Sequence, residues 1–227
     1  QCLQPTMAGP EMIQFGGRFL PVHFVGGLIE GSIPAGGWNL NYKGGVGNGR
    51  ASVISRAGDP GDSNGERAWL GNVFSKPDKP FGLEFGGSYY DDLVTLSDAR
   101  EFRERIVGGY AVWNKEDPEI ITEIAGVRHH ETATGLVTWS QAYYVQAAYR
   151  LPAFNRVLKP YYRIEHIGID VADGMFATVP RLDDSSIIGL RYDASLFAAI
   201  KGEYRTWRRG SDVARNHGGF LQLCFTF

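Results

Sequence analysis

Long apolar runs are missing from this 227-residue chain. No stretch approaches the ~20 consecutive apolar residues of a membrane helix, and that excludes helical spans but not sheet spans. Net charge is nearly absent, −2 at pH 7, so no strong electrostatic partner is implied and nucleic acid is not expected. Cysteine is scarce: Cys2 and Cys224 could pair, but nothing in their spacing demands it. No metal-ligand spacing exists, His23 and His166 have no partners at fixed intervals, and no cofactor is expected. Gln1 to Pro10 lacks a basic region followed by an apolar run, so a leader has been removed or the chain is a piece of a longer one. Lysine is sparse beside arginine, and helical periodicity of useful length is missing throughout.

Strand formers are what the chain has in quantity: 11 Tyr, 13 Phe and 5 Trp, interspersed with 30 Gly. Apolar and polar residues alternate with period two almost everywhere. Trp38, Leu40, Tyr42 and Val46 alternate with Asn39, Asn41 and Lys43, and Ile200 and Tyr204 alternate with Lys201, Glu203 and Arg205. This pattern predicts strands at 22–32, 37–47, 66–76, 80–91, 103–115, 118–130, 138–151, 158–169, 184–193, 196–208 and 217–227. In 66–76 and 118–130 the alternation slips, as a bulge would make it. The connections alternate between short, such as Glu116–Asp117 and Ala194–Ser195, and long, at 48–65, 92–102, 131–137, 170–183 and 210–216. That asymmetry belongs to an up-and-down meander with turns at one end and loops at the other.

A strand of ~11 residues, tilted by ~45°, crosses an apolar band about 25 Å high. Hydrocarbon offers no partner to backbone N–H and C=O, so strands cross it only as a closed sheet with apolar residues outside and polar ones inside. Aromatic residues fall near both ends of the strands: Trp38, Phe81, Tyr149, Tyr162 and Phe227 at the short turns, Tyr89, Trp139, Tyr204 and Trp207 at the long loops. A soluble sandwich or lipocalin-like barrel would alternate equally well. The strand number, the loop asymmetry and the apolar ending favour an all-β, antiparallel up-and-down transmembrane β-barrel of 11–12 strands, facing the lipid bilayer. Residues 21–227 form this single domain, and residues 1–20 read as an external loop or the end of a preceding region.

Five segments carry a resemblance: "FLPVHFVGGLIEG" (19–31), "YKGGVGNGR" (42–50), "AYRLPAF" (148–154), "GLRYDASLFAAIKGEYR" (189–205) and "FLQLCFTF" (220–227). Together they resemble porin-like outer-membrane proteins of Gram-negative bacteria, near the phosphate-selective porins. The ending, with Leu221, Leu223, Phe225 and Phe227 on one face, is similar to the terminal signature that the barrel-assembly machinery recognises. The resemblance implies a water-filled lumen in a barrel of about 16 strands, of which this chain would be the C-terminal portion. The rival is a complete 12-stranded barrel with a first strand at 11–18. A phosphate site is not carried over, because the sequence shows no arginine ladder or dense lysine ring.

By phase, the inward charges are Glu30, Lys43, Glu84, Arg103, Arg105, Arg150, Arg163, Glu165, Arg191, Asp193, Lys201, Glu203 and Arg205, with bases in modest excess. As pore-lining residues they imply passage of small hydrophilic solutes or ions with weak anion preference, and a homotrimer is among the assemblies open to such a barrel. The plainer role for each is to knit the wall by cross-strand pairing. An enzyme is not expected: His129, His130 and Ser140 could supply a base and a nucleophile, but no nucleophile motif surrounds Ser140. The alternative is a non-conducting adhesin or receptor barrel acting through loops 48–65 and 170–183, where Asp59, Asp62, Asp170, Asp173, Asp183 and Asp184 collect.

Overall fold

The computed structural model describes residues 6–13, 19–21, 24–54, 62, 64–210 and 212–225. Eleven strands run in chain order: β1 Val25–Ile33, β2 Leu40–Asn48, β3 Ala68–Ser75, β4 Leu83–Thr95, β5 Glu101–Asn114, β6 Glu119–Glu131, β7 Val137–Ala148, β8 Leu158–Gly168, β9 Leu182–Ser195, β10 Ala198–Arg208 and β11 Asn216–Phe225. They form one antiparallel sheet in which every strand pairs with its sequence neighbours, so the fold is all-β and up-and-down. Among the described residues β1 and β11 do not pair, and the sheet is not closed. All eleven strands expected from the alternation are present. The expected bulges are not where the pattern slipped: the register shifts lie at Glu165/Ile167, between β8 and β9, and at Ala198/Ala199, between β9 and β10.

Loop asymmetry is weaker than the sequence suggested. Connections 49–67 and 169–181 are long, but 96–100 and 132–136 are tight turns because β4, β5 and β6 run on to 13 or 14 residues. Gly135 makes the second of these turns with φ +73°, a conformation only glycine adopts without strain.

The two faces differ sharply. On β7, Thr138, Ser140, Ala142, Tyr144, Gln146 and Ala148 are buried, while Val137, Trp139, Tyr143 and Val145 are exposed. Register carries this phase across the sheet: Ile124, Tyr143, Val145, Ile164, Ile188, Leu190, Ile200, Tyr204, Leu221, Leu223 and Phe225 form an exposed apolar outer face. Leu221 is 74% exposed, whereas Lys201 on the other face is 0% exposed. Trp207 departs from the expected outer girdle. It lies opposite Ser185 and packs inward against the core. Phe227 lies outside the described residues.

The inner face is covered at the loop end. Met12 and Phe19 from the segment before β1, with Ile54, Met175, Phe176 and Val179 from the connections, fold in onto Val94, Phe102, Ile106, Val127, Ile167 and Leu182. Removing a side chain such as Phe176 from so closed a cluster costs about 3–5 kcal/mol. The first described segment, 6–13, also crosses the inner face instead of lying in an external loop, for the bonding reasons given below. Glu11–Ile13 form a single 3-10 turn, so a strand does not begin at residue 11, and 14–18 lie outside the described residues.

Candidate functional site

Ionic side chains of the inner wall gather in three places. The first is the junction of β8, β9 and β10. Pairing sets Lys159 opposite Arg191 and Arg191 opposite Lys201, a cationic row across three strands, and the strand phase brings Arg163 and Arg205 to the same face. Carboxylates interleave with them: Arg163 Nε lies 2.6 Å from Glu165 Oε1, Arg191 Nε donates to Asp193 Oδ1 at 2.6 Å, and Arg205 Nε donates to Glu203 Oε2 at 2.6 Å. Tyr161 OH donates to Glu203 Oε1 at 2.9 Å. Its ring lies over Gly189, where an added Cβ would collide with the ring and force it to shift.

Segment 6–13 is strapped onto this wall through its backbone. The N–H groups of Met7 and Glu11 donate to Glu203 Oε1 (2.6 Å) and Glu165 Oε2 (2.7 Å). Arg163 Nη1 donates to the Ala8 carbonyl at 2.8 Å, and Lys201 Nζ to the Thr6 carbonyl at 3.2 Å. Wall charges thus satisfy a stretch of chain that has no sheet partner, as buried backbone requires. Beside it lies a cleft of about 350 Å³, lined by Arg163, Arg205 and Arg209 against Glu11 and Glu165, with Ile187, Trp207 and Phe220 as apolar walls. Arg209 Nη2 holds Glu11 at 2.9 Å, and Arg205 lies 4.6 Å over the Phe220 ring.

The second group occupies the loop end of β4–β7. Arg50 donates from Nε to Glu104 Oε2 (2.8 Å), from Nη2 to the Phe19 carbonyl (2.7 Å) and from its backbone N–H to Asp92 Oδ2 (2.8 Å). His129 sits between two carboxylates, Nδ1 at 2.7 Å from Asp173 and Nε2 at 3.1 Å from Glu104. Phe176 caps its ring edge-on at 4.5 Å. In loop 169–181, burial raises the Asp173 carboxyl, but the His129 hydrogen bond and charge and the N–H groups of Met175 and Phe176 outweigh it and hold it low. Ser140 Oγ faces Asp173 (3.4 Å) and receives the Asp170 N–H (3.2 Å). Both nitrogens of His129 are therefore engaged away from Ser140, and the nucleophile–base bond that a hydrolase needs is not made. His130, opposite Arg103, lies on the outer face.

The third group lies at the turn end. Arg150 bridges Glu116 Oε2 (2.5 Å) and Asp193 Oδ2 (2.6 Å), and Lys159 Nζ donates to Glu119 Oε2 at 2.8 Å. In the β5–β6 turn, burial opposes ionisation of Glu116, yet Arg150 and Lys159 bring its carboxyl below the usual range.

Of the expected inward residues, Lys43 pairs with Glu30 at 3.2 Å, Glu84 accepts from Tyr110 at 2.9 Å, and Arg163, Glu165, Arg191, Lys201, Glu203 and Arg205 share the inner wall, with Arg150 at its rim. Arg103 and Arg105 are corrected. Phe102, Glu104 and Ile106 take the inner positions of β5, so the two arginines face outward and pair with Asp91 of β4. With Asp92, Glu104, Glu119 and Glu123 added inside, the expected excess of base disappears from the wall as a whole and survives only on β8–β10. Lys159, Asp92, Glu104 and Arg50 were missed. Lys159 is in phase with Arg163 and was legible, while Arg50 enters from a connection and carries no period-two signal. Cys224 is buried on the inner face, and Cys2, His23 and Asp59 lie outside the described residues.

No family model matches the chain, and no curated protein matches it. Among solved structures it is similar to an anion-selective porin from Comamonas acidovorans, with a TM-score of 0.53 at 14% identity over 86% of this chain. The match covers 56% of that porin, so the chain spans about half the length of the protein it resembles. The eleven-stranded sheet therefore has the fold of part of a porin barrel.

Proposed function

We propose that the chain forms part of a porin-like channel in a bacterial outer membrane that passes small hydrophilic solutes or ions by passive diffusion. The observation that carries this reading is the division of the sheet: apolar side chains exposed along the outer face, ionised ones along the inner. A sheet that faced water outside would reverse it. No chemical step is assigned to the wall, whose action is lumen width and field. Weak anion preference rests on the cationic row Lys159, Arg191 and Lys201 and on the cleft, where three arginines face two glutamates. Reversal potentials across planar bilayers holding the full-length protein test this: anion permeability modestly above cation permeability is expected, and a clear cation preference rejects it.

One observation favours a second reading, a non-conducting receptor or adhesin barrel acting through its loops. Segments 6–13 and 169–181 cover much of the inner face. Single-channel recording separates the two, since discrete conductance steps belong only to the channel.

A further inference from the structure

The outer face is apolar over most of its area and breaks that rule near its loop end. Arg105 of β5 lies directly opposite Arg128 of β6, and Arg103 lies opposite His130. Like charges opposed on one sheet face repel. A single carboxylate, Asp91, serves both arginines of β5: Arg105 Nε donates to Oδ2 at 2.9 Å, and Arg103 pairs with Oδ1. Arg128 has no carboxylate at ion-pair distance among the described residues, and its guanidinium lies 6.0 Å over the Trp139 ring. Within β4–β6 the other acid of this face, Glu101, is exposed at the start of β5, opposite Thr95, and Asp184 of β9 is engaged by Arg208 and Arg215. Toward the middle of the sheet the same face turns apolar, with Val107 and Ile124 exposed beside the arginines. A shallow hollow of about 480 Å³ lies on the side of Arg128 away from β5, floored by Gly126 and Gly168 and walled by Trp139 and Gln141, with Asp170 at its far edge beyond β8.

We propose that this patch binds the phosphate of an anionic lipid headgroup in the leaflet at the loop end of the sheet. The inference rests on the outer face being the lipid-facing one, as proposed above. A phosphate oxygen pair placed between Arg105 and Arg128 turns a repulsive cross-strand pair into two charge-assisted hydrogen bonds. Trp139 supplies the ring that belts a membrane at headgroup level. A lipid is favoured over a free ion because the cations stand on the apolar side of the sheet, where acyl chains would run on over Val107 and Ile124. Each arginine near an anionic surface strengthens attachment by roughly fivefold.

The test refolds the full chain into phosphatidylcholine vesicles doped with phosphatidic acid and reads the lipid retained after extraction by native mass spectrometry. Retention of phosphatidic acid over phosphatidylcholine by about tenfold or more is expected, falling to near parity in Arg105→Gln/Arg128→Gln. Arg128→Gln alone, which breaks no ion pair, loses part of the preference, and Arg205→Gln on the inner wall keeps it. Excess inorganic phosphate leaves the lipid bound. Equal retention by the parent and the double variant overturns the proposal. Displacement by inorganic phosphate overturns it in favour of a free-ion site. A lipid-independent oligomer that the double variant breaks overturns it in favour of a contact between copies. A chain that stays outside the vesicles, fully open to added protease, overturns the lipid-facing reading and this inference together. A chain that inserts but shows no preference overturns this inference alone.

Discussion

His129 shows at the scale of one residue how this wall is stabilised. Its ring is 1% exposed and touches Glu104 and Asp173, so replacing it by leucine strips the buried Asp173 carboxylate of its imidazole partner, while Glu104 keeps Arg50. Breaking a buried pair in this way costs about 3–5 kcal/mol, and H129L is expected to lower the denaturant midpoint in micelles accordingly. Asp173 adds a pH dependence whose sign is fixed. Its carboxyl is held below the ordinary value, so its contribution is complete above that value and is lost as pH falls through the lowered one. Loop 169–181 should stay docked at neutral pH and open to protease only below about pH 4. Gly189→Ala drives a methyl group into the Tyr161 ring and is expected to cost about 1–3 kcal/mol, read as a lower midpoint.

Among the elements, the strands were legible in the sequence and the inward-folding connections were not. Period two is a local signal, and in β7 burial alternates unbroken from Val137 to Ala148, with only Gln141 outside and Ala142 inside blurring the residue pattern that marks the faces. In β5 the signal fails. Arg103, Arg105, Glu101 and Glu104 place charge on both faces of the strand's first half, and only the partners Asp91 and His129 decide which is inside. Segment 6–13 has no periodicity at all, and its place is set by long-range bonds to Glu203, Glu165, Arg163 and Lys201. Removing residues 1–13 is expected to raise single-channel conductance, while Glu203→Gln, which weakens one strap, raises it less. Recordings of both variants beside the parent check the order.

For the whole molecule the decisive quantity is the difference between the two faces. Leu221→Arg, on the outer face near mid-strand, is expected to lower stability in lipid by about 2–4 kcal/mol, whereas Gln222→Glu, one residue on and facing inward opposite Lys201, is expected to be tolerated. Unfolding of the two variants in the same vesicles compares them directly. The row of Lys159, Arg191 and Lys201 has a further effect during assembly. A strand that paired one position out of place would swing its cation from the interior onto the outer face, at up to about 1 kcal/mol for each residue this close to the turn end of a membrane-spanning sheet. In such a setting the charges that line the interior would also bias assembly, each adding a small cost to a misaligned hairpin.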